Sequence, residues 1–404
     1  MKALSAPALT FNCLLLSLLL FLPSCGGKAE GLPVRVRQPS TPERAAPPID
    51  QSYLSGIRLD PGYIYDMPEY EHLSPSELSQ LIVKEIAEGG FNTIFLYAYS
   101  PVYGAYYRTF YPATDINRSL GFDSIVPRIT SEAKRRGLRV IAVLPVNDFK
   151  QAWNEHPEWR VKTRNGKDYA PDPEHHYLSP AHPGFRAWHQ GFLKDFLRIN
   201  PEVDGVEAVE PGFDLNWDGS VDYNEEAVKE FARRFPNASP RGSLWEKFRA
   251  ALLTEHLGNM FALIHEHEKQ AFVVQTWPAR KDGSLLSSDE IMRGLGFDWQ
   301  ATLNLPGAAR PDWVNGELIF QQWRAKFGGA VFTPAWTQTA AKTFTAFVGA
   351  RARTILHAEY SNFDGKFGSF SATLPEVAEA LKGAKDTADG QDVYDYHLWR
   401  QLRR

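Results

Sequence analysis

Residues 203–212 read VDGVEAVEPG, a short apolar run that carries two glutamates near its end. Such a run is typical of a parallel strand that is buried on both faces, because a strand with one face in water would alternate apolar and polar residues. Glu207 lies inside the run and Glu210 closes it, and Pro211 then lacks the N–H that would continue the hydrogen-bond ladder. The segment therefore predicts a buried strand with carboxylates at its C-terminal end.

Seven further runs of this kind occur, and helical patterns separate them. The eight expected strands cover residues 56–64, 91–99, 138–146, 203–209, 271–277, 299–305, 330–336 and 354–359. Helices are expected between them, including one that starts at the capping box Ser74-Pro75-Ser76-Glu77 and one over residues 311–327. Eight strand–helix units predict an α/β fold, a (β/α)8 TIM barrel, with a helical insertion after strand four at residues 225–235 and 243–269.

An open doubly wound sheet is the alternative arrangement of the same elements. That fold usually needs a glycine-rich phosphate-binding turn after its first strand, whereas this chain has Asp60-Pro61-Gly62-Tyr63 there. The barrel is therefore the preferred prediction.

The N-terminus has the pattern of an export signal. Lys2 supplies a positive start, residues 14–22 are apolar apart from Ser17, and Leu22-Pro23-Ser24-Cys25-Gly26-Gly27 follows. The last six residues resemble the lipobox of bacterial lipoproteins, in which the cysteine is lipidated, and an ordinary cleaved signal is the alternative. The resemblance implies a protein anchored in the cell envelope through Cys25, and Gly26 favours the outer membrane.

This pattern divides the chain into four parts. We expect a signal peptide and lipobox over residues 1–25, a proline-rich tether over 26–52, the barrel over 53–385 and a polar C-terminal tail over 386–404. Both cysteines, Cys13 and Cys25, belong to the first part, which excludes disulfides and a cysteine nucleophile from the folded part. The balance of 44 Lys+Arg against 48 Asp+Glu excludes a strongly basic nucleic-acid binder.

Carboxylates at strand ends are the candidate catalytic groups, since barrel enzymes place their chemistry at the C-terminal ends of strands. Glu210 is the first candidate, because residues i and i+3 of a regular strand face opposite sides and Glu207 then points elsewhere. Glu207 is expected to support Glu210 or to pair with a basic group. Asp60 after strand one and Glu359 at the end of strand eight are its possible partners, and no glutamate ends the expected strand seven.

Aromatic residues at the same ends are candidate sugar-binding surfaces, because sugar rings present apolar C–H faces to aromatic rings. The aromatic candidates for substrate binding are Tyr97, Tyr99, Tyr103, Trp277 and Trp336. Asp148, a carboxylate after strand three, is a further candidate.

Several short motifs together resemble a known family. They are residues 89–95 (GGFNTIF), 133–140 (AKRRGLRV), 156–159 (HPEW) with Asn165-Gly166, 177–180 (YLSP) and Asp204-Gly205-Val206. Residues 56–306 are thereby similar to bacterial glycoside-hydrolase-like TIM barrels of the glycosyl-hydrolase-like family 10 type. These are relatives of the hydrolase domain that accompanies the deacetylase of biofilm exopolysaccharide export. The family often has adjacent aspartates where this chain has Glu210-Pro211.

The resemblance implies a lipoprotein glycoside hydrolase that acts on a polysaccharide, with components of exopolysaccharide export as further partners. In this reading Glu210 is the general acid and base, and a second carboxylate is the nucleophile or base. The alternative is a polysaccharide-binding lipoprotein without catalysis. The altered acidic pair and the missing strand-seven glutamate favour the alternative, whereas the aromatic and acidic strand ends suit both.

A calcium site is predicted directly after strand four. Residues 214–225 read DLNWDGSVDYNE and match the 12-residue EF-hand loop, with the turn glycine at position 6. The expected ligands are Asp214, Asn216, Asp218, Ser220 through its carbonyl, Asp222 and Glu225.

Overall fold

The computed structural model describes residues 52–65, 67–112, 124–171, 173–213, 221–360 and 372–403. The predicted signal peptide, Cys25 and nearly all of the tether lie outside the described residues. Eight parallel strands close into a barrel, which confirms the predicted fold class. The strands are β1 (Leu54–Leu59), β2 (Thr93–Tyr97), β3 (Arg139–Pro145), β4 (Gly205–Val209), β5 (Gln270–Thr276), β6 (Trp313–Glu317), β7 (Arg353–Glu359) and β8 (Gly390–Tyr394).

Helices surround the barrel. They are α1 (Pro75–Glu88), α2 (Ile125–Arg135), α3 (Lys150–Glu155), α4 (Pro183–Ile199), α5 (Glu225–Arg234), α6 (Gly242–Glu266), α7 (Ser288–Leu295), α8 (Trp299–Leu303), α9 (Phe320–Phe327), α10 (Pro334–Val348), α11 (Leu374–Ala380), α12 (Ala384–Thr387) and α13 (Tyr396–Leu402). The predicted capping box starts α1, where the Glu77 N–H donates to Ser74 Oγ and the Ser74 N–H donates to Glu77. No helix in the described part of the chain combines the length and apolar character that a membrane span needs.

Two predicted strands were wrong. Residues 299–305 contain α8, because the Asp298 side chain accepts the Ala301 N–H at 2.9 Å and caps a helix. Residues 330–336 lead into α10, which Thr333 caps in the same way and which has Pro334 in its first turn. The sixth strand is β6, inside the segment predicted to be a helix over residues 311–327.

The C-terminal tail was also predicted wrongly, because it contains the closing strand. β8 pairs with both β7 and β1, with Gly390 opposite Leu54. Strands β8 and β1 approach each other so closely that a Cβ on Gly390 would lie 2.7 Å from the Leu54 Cβ atom. The barrel therefore extends past residue 385, and α13 follows its last strand.

The barrel interior has an apolar layer and a polar layer. Buried apolar side chains from six strands form a cluster separate from the main core: Leu54, Phe95, Ile141, Val143, Phe272, Trp313 and Ile355. The main core lies between the strands and the surrounding helices. This separation explains why most strands read as apolar on both faces.

Arg58 is the centre of the polar layer. Its Nε donates to Asp392 Oδ2 at 2.7 Å, and Nη1 and Nη2 donate to the two Glu207 oxygens at 2.6 and 3.0 Å. Asn315 Nδ2 also lies 3.3 Å from the Asp392 carboxylate, and His357 Nδ1 lies 2.7 Å from Asp392 Oδ1. These groups link β1, β4, β6, β7 and β8 across the interior.

We expect Arg58→Met to destabilise the fold by about 3–5 kcal/mol, because it leaves Glu207 and Asp392 charged and buried without their shared partner. Arg198→Met is the matched control, since Arg198 is 64% exposed in its ion pair with Asp195 and such pairs contribute only about 0–1 kcal/mol. Urea unfolding measures both changes. An Arg58 variant no less stable than the control would contradict the central role of this arginine.

Candidate active site

Three glutamates meet at the mouth formed by the C-terminal ends of the strands. Glu210 follows β4, Glu317 is the last residue of β6 and Glu359 is the last residue of β7. The carboxyl groups of Glu210 and Glu317 are in hydrogen-bonding contact, and Glu359 interacts electrostatically with both. The structure thus brings together the two sequence candidates Glu210 and Glu359 and adds Glu317.

The position of Glu359 differs from the predicted numbering of the strands. It was predicted to end strand eight, and strand seven was expected to lack a terminal glutamate. Since β8 comes from residues 390–394, Glu359 ends strand seven. Carboxylates therefore lie at the ends of strands four and seven, in the same mouth.

The backbone of Glu210 explains how its side chain reaches the mouth. Its φ is 42°, in the left-handed region that residues with a side chain rarely occupy. The Glu210 N–H still donates to the Val274 carbonyl at 3.0 Å, so the residue remains attached to β5. The strand's alternation ends at this point, which allows Glu207 to face the interior while Glu210 faces the mouth.

Burial and neighbouring charge raise the pKa of Glu210. Packing around the carboxyl disfavours its charged form, and the negative charge of Glu359 adds to this effect. The residue as a whole is exposed to solvent. A carboxyl in this setting can hold a proton and donate it, as a general acid must.

Glu359 has a cationic neighbour. His357 Nε2 lies 3.1 Å from Glu359 Oε1, while His357 Nδ1 faces Asp392. Burial lowers the pKa of His357, but the charges and hydrogen bonds of Asp392 and Glu359 outweigh it and raise the pKa to about 10. The imidazole is therefore positively charged at neutral pH and favours the ionised form of Glu359.

Glu317 lies between the other two glutamates. Thr276 Oγ1 donates to Glu317 Oε2 at 2.9 Å, and burial followed by the charge of Glu210 raises the pKa of Glu317 to about 7. Burial likewise raises the pKa of Glu359 to about 7, and His357 opposes this increase. Glu317 and Glu359 are thus partly protonated near neutral pH.

The other two candidate catalytic residues lie apart from this cluster. Glu207 is fully buried and accepts both hydrogen bonds from Arg58, so it pairs with a basic group, one of the two roles expected for it. Asp60 accepts the Gly62 N–H at 2.8 Å, and burial raises its pKa to about 6 against the opposing contacts of Gly62 and Tyr106. It lies beside Asp395 at the same end of the barrel.

Only some of the predicted sugar-binding residues face the mouth. Tyr97 does, with its ring edge to face against Tyr394 at 6.2 Å between centroids. Tyr103 is 66% exposed in the turn between two short antiparallel strands, Tyr99–Ser100 and Gly104–Ala105. Asp148 accepts the His176 N–H at 2.7 Å and is within electrostatic reach of Glu210.

The prediction was wrong for the three remaining aromatic residues, which are buried in the core. Tyr99 packs against Phe149 and Phe192. Trp277 packs against Trp299, and the Trp336 indole donates to the Gly283 carbonyl at 2.8 Å. Tyr99 and Trp277 follow the ends of β2 and β5 and pack against α4 and α8, whereas Trp336 belongs to helix α10.

Sequence reasoning missed Arg58, Glu317, His357 and Asp392. His357 carried a usable signal, because it lies two residues before Glu359 and so faces the same side of the strand. Glu317 and Asp392 lay in segments read as a helix and a tail, where no strand end was expected.

A metal ion could be held by one cluster among the described residues or by the loop that the sequence predicts to bind calcium. Ligand atoms of Glu317, His357 and Glu359 lie within 4.8 Å of one another. Both His357 nitrogens, however, are at hydrogen-bond distance from carboxylates, so protons occupy the positions that a metal would need. The second place is the predicted calcium loop.

Four of the six expected calcium ligands, Asp214, Asn216, Asp218 and Ser220, lie outside the described residues. Asp222 is fully buried, and burial raises its pKa to about 7. Glu225 is 82% exposed at the start of α5 and pairs with Lys229 at 2.8 Å.

Comparisons with known proteins agree with this architecture. The sequence matches no family model, and a search of curated proteins finds no match. Among solved structures, the chain is similar to the PgaB (BpsB) glycoside hydrolase domain from Bordetella bronchiseptica. The TM-score is 0.63 and the identity 16%, over 86% of this chain and 95% of that one.

Two further structures have a similar fold. The catalytic domain of β-amylase from Paenibacillus polymyxa has a TM-score of 0.55 at 11% identity, over 86% of this chain and 93% of that one. A β-galactosidase from the psychrophilic Marinomonas ef1 has a TM-score of 0.58 at 10% identity, over 85% of this chain and 54% of that one. These similarities confirm the resemblance at the level of the fold: the chain is a (β/α)8 barrel of the kind found in glycoside hydrolases.

Proposed function

We propose that this protein is a glycoside hydrolase that cleaves a polysaccharide, with Glu210 as general acid and base and Glu359 as nucleophile. The meeting of Glu210 and Glu359 in one mouth, from the ends of strands four and seven, carries the proposal. Glycoside hydrolysis needs two carboxyl groups that flank the scissile bond and differ in protonation. The surroundings of these two glutamates differ in the required sense.

The different neighbours support the two roles. Glu359 contacts the positively charged His357, which favours a carboxylate that can attack the anomeric carbon. Glu210 faces the negative charge of Glu359, which favours a carboxyl that keeps its proton. Two carboxyl groups whose environments separate their protonation states are typical of an acid and a nucleophile.

The reaction then has two steps. Glu210 donates its proton to the glycosidic oxygen as Glu359 displaces it, which breaks the glycosidic bond and forms a glycosyl ester on Glu359. In the second step the Glu210 carboxylate accepts a proton from water, and that water displaces Glu359 from the anomeric carbon. Both carboxyl groups return to their initial state.

The binding-only alternative loses its main support. It rested on the absence of a glutamate at the end of strand seven, and Glu359 occupies that position. The altered acidic pair at Glu210-Pro211 is compatible with a catalytic pair formed by Glu210 and Glu359.

We also propose that the protein is an exported lipoprotein of the bacterial cell envelope, anchored through Cys25 in the outer membrane. The lipobox-like sequence supports this location, and the family resemblance supports partners among the components of exopolysaccharide export. The described chain enters the barrel at Leu54, at the end opposite the mouth.

We expect Glu210→Gln to fold normally and to lose hydrolysis about 10²–10⁴-fold, because glutamine keeps the shape but cannot transfer the proton. Glu202→Gln, an exposed glutamate near the other end of the same strand, is the matched control and should retain activity. Rates are measured on nitrophenyl glycosides and, as released reducing ends, on exopolysaccharide extracts. If Glu210→Gln hydrolyses as fast as the parent, Glu210 is not the acid.

We expect Glu317 to influence the pH at which kcat falls on the acidic side of the pH–rate profile. The pKa of Glu359 is raised to about 7 by burial first and then by the charge of Glu317, with His357 opposing both. Activity therefore falls as the pH drops through about 7 and Glu359 becomes protonated. Glu317→Gln removes a negative charge, so we expect the acidic limb of kcat to move to lower pH. A limb that stays in place or moves upward would exclude this coupling.

We propose that the loop of residues 214–225 binds calcium and braces the segment that follows Glu210. Its match to the EF-hand pattern and the buried Asp222 support the proposal. Calorimetric titration should detect binding at millimolar calcium or below. Glu225→Gln should weaken it, because position 12 supplies a bidentate carboxylate, while the neighbouring Glu226→Gln should not. Absence of binding at millimolar calcium would remove the proposal.

A further inference from the structure

We propose that His357 is a positioning residue that favours the ionised form of Glu359 and directs it at the mouth, and that the buried ion network below it holds His357 in the charged form. This inference rests on the proposed function, because it assigns the group that prepares the nucleophile. It concerns residues that do not themselves touch the reacting bond.

The geometry places His357 between two carboxylates. Nδ1 lies 2.7 Å from Asp392 Oδ1 and Nε2 lies 3.1 Å from Glu359 Oε1, and the ring is completely buried. A neutral imidazole has one donor and one acceptor nitrogen, so it would direct a lone pair at one of these carboxylates. An imidazolium has two donors and satisfies both contacts.

The network below explains why the ring stays in place. Asp392 accepts from Arg58 Nε at 2.7 Å through its other oxygen, and Arg58 is fixed by the two bonds to Glu207. Asn315 provides a further donor 3.3 Å from Asp392. These contacts hold the Asp392 carboxylate in one orientation. Asp392 in turn orients the ring of His357, which contacts Glu359.

The charges around His357 come from four strands. Asp392 on β8 and Glu359 on β7 contact the ring, while Glu317 on β6 and Arg58 on β1 act on it electrostatically or through Asp392. In this set Arg58 is neutralised by Glu207, and Asp392 is balanced by Arg58 and His357 together. The four charges of Arg58, Glu207, Asp392 and His357 therefore sum to zero, and Nε2 is the His357 nitrogen that faces Glu359.

This arrangement selects one of the three glutamates as the nucleophile. Glu210 and Glu317 contact each other, so one of them readily holds a proton for both. Glu359 instead receives a charged hydrogen bond, the type that most strongly favours a carboxylate. His357 thereby assigns the two catalytic roles without touching the substrate.

The first test is independent of turnover. Nitrogen-15 NMR of the full chain, with His357 assigned by comparison with His357→Gln, should show both ring nitrogens protonated at pH 7. A neutral ring, or zinc bound through Nε2 when zinc is added, would overturn the inference, since either requires Nε2 without a proton. This result does not depend on whether the protein hydrolyses glycans.

The second test uses kinetics. His357→Gln should lower kcat about 10- to 100-fold, change KM less than about threefold and move the acidic limb of kcat to higher pH by about one unit. His357→Lys, which restores a positive charge, should recover part of the rate. His189→Gln, a substitution of another buried histidine outside the mouth, controls for a general packing defect and should not move the limb.

The outcomes distinguish failure of the proposed function from failure of the positioning role of His357. A parent protein without hydrolysis but with a doubly protonated His357 contradicts the proposed function and leaves the network intact. An active parent whose acidic limb is unchanged in His357→Gln overturns the positioning role and leaves Glu210 and Glu359 in place.

Discussion

The bidentate contact of Arg58 with Glu207, together with its third bond to Asp392, is the interaction on which the rest of the structure depends. It joins the first, fourth and last strands inside a space that contains no bulk water. Removing the charges from water is costly, and only mutual pairing with good geometry offsets that cost. The same contact orders Asp392, and through it His357 and Glu359, so closure of the barrel and preparation of the site are one event.

The parts of the fold that the sequence revealed are those whose strands are apolar on both faces. β1 to β5 and β7 were found in this way, whereas β6 and β8 carry Asn315, Glu317 and Asp392 toward the interior and so resemble surface segments. Of the site, Glu210 and Glu359 were identifiable because each closes an apolar run. Glu317 and Asp392 were not, because their positions depend on strand pairing between distant segments. Strand-end aromatics were ambiguous, since a shift of one residue turns a side chain from the mouth to the helical layer.

The mouth concentrates features that oppose stability. Glu210 adopts a left-handed backbone conformation, and three carboxyl groups lie together in partly dehydrated surroundings. Strained backbone and unfavourable charge are typical of functional sites, and the remaining structure must compensate for them. Here the apolar layer formed by Phe95, Phe272, Trp313 and their neighbours lies directly beneath the polar network. A fold shared with glycosidase structures does not itself determine an activity, so the chemistry of this protein depends on the groups at this mouth.

The pairing of the first strand with the last has a consequence for biosynthesis. Arg58 and Asp392 are separated by 334 residues, so their contact cannot form until almost the whole chain exists. At about 5–20 residues per second, a ribosome needs roughly 20 to 80 s to make this chain. During that time β1 has one unpaired edge and the nascent barrel stays open. A barrel that cannot close before the last strand is made is compatible with the export that we propose for this protein.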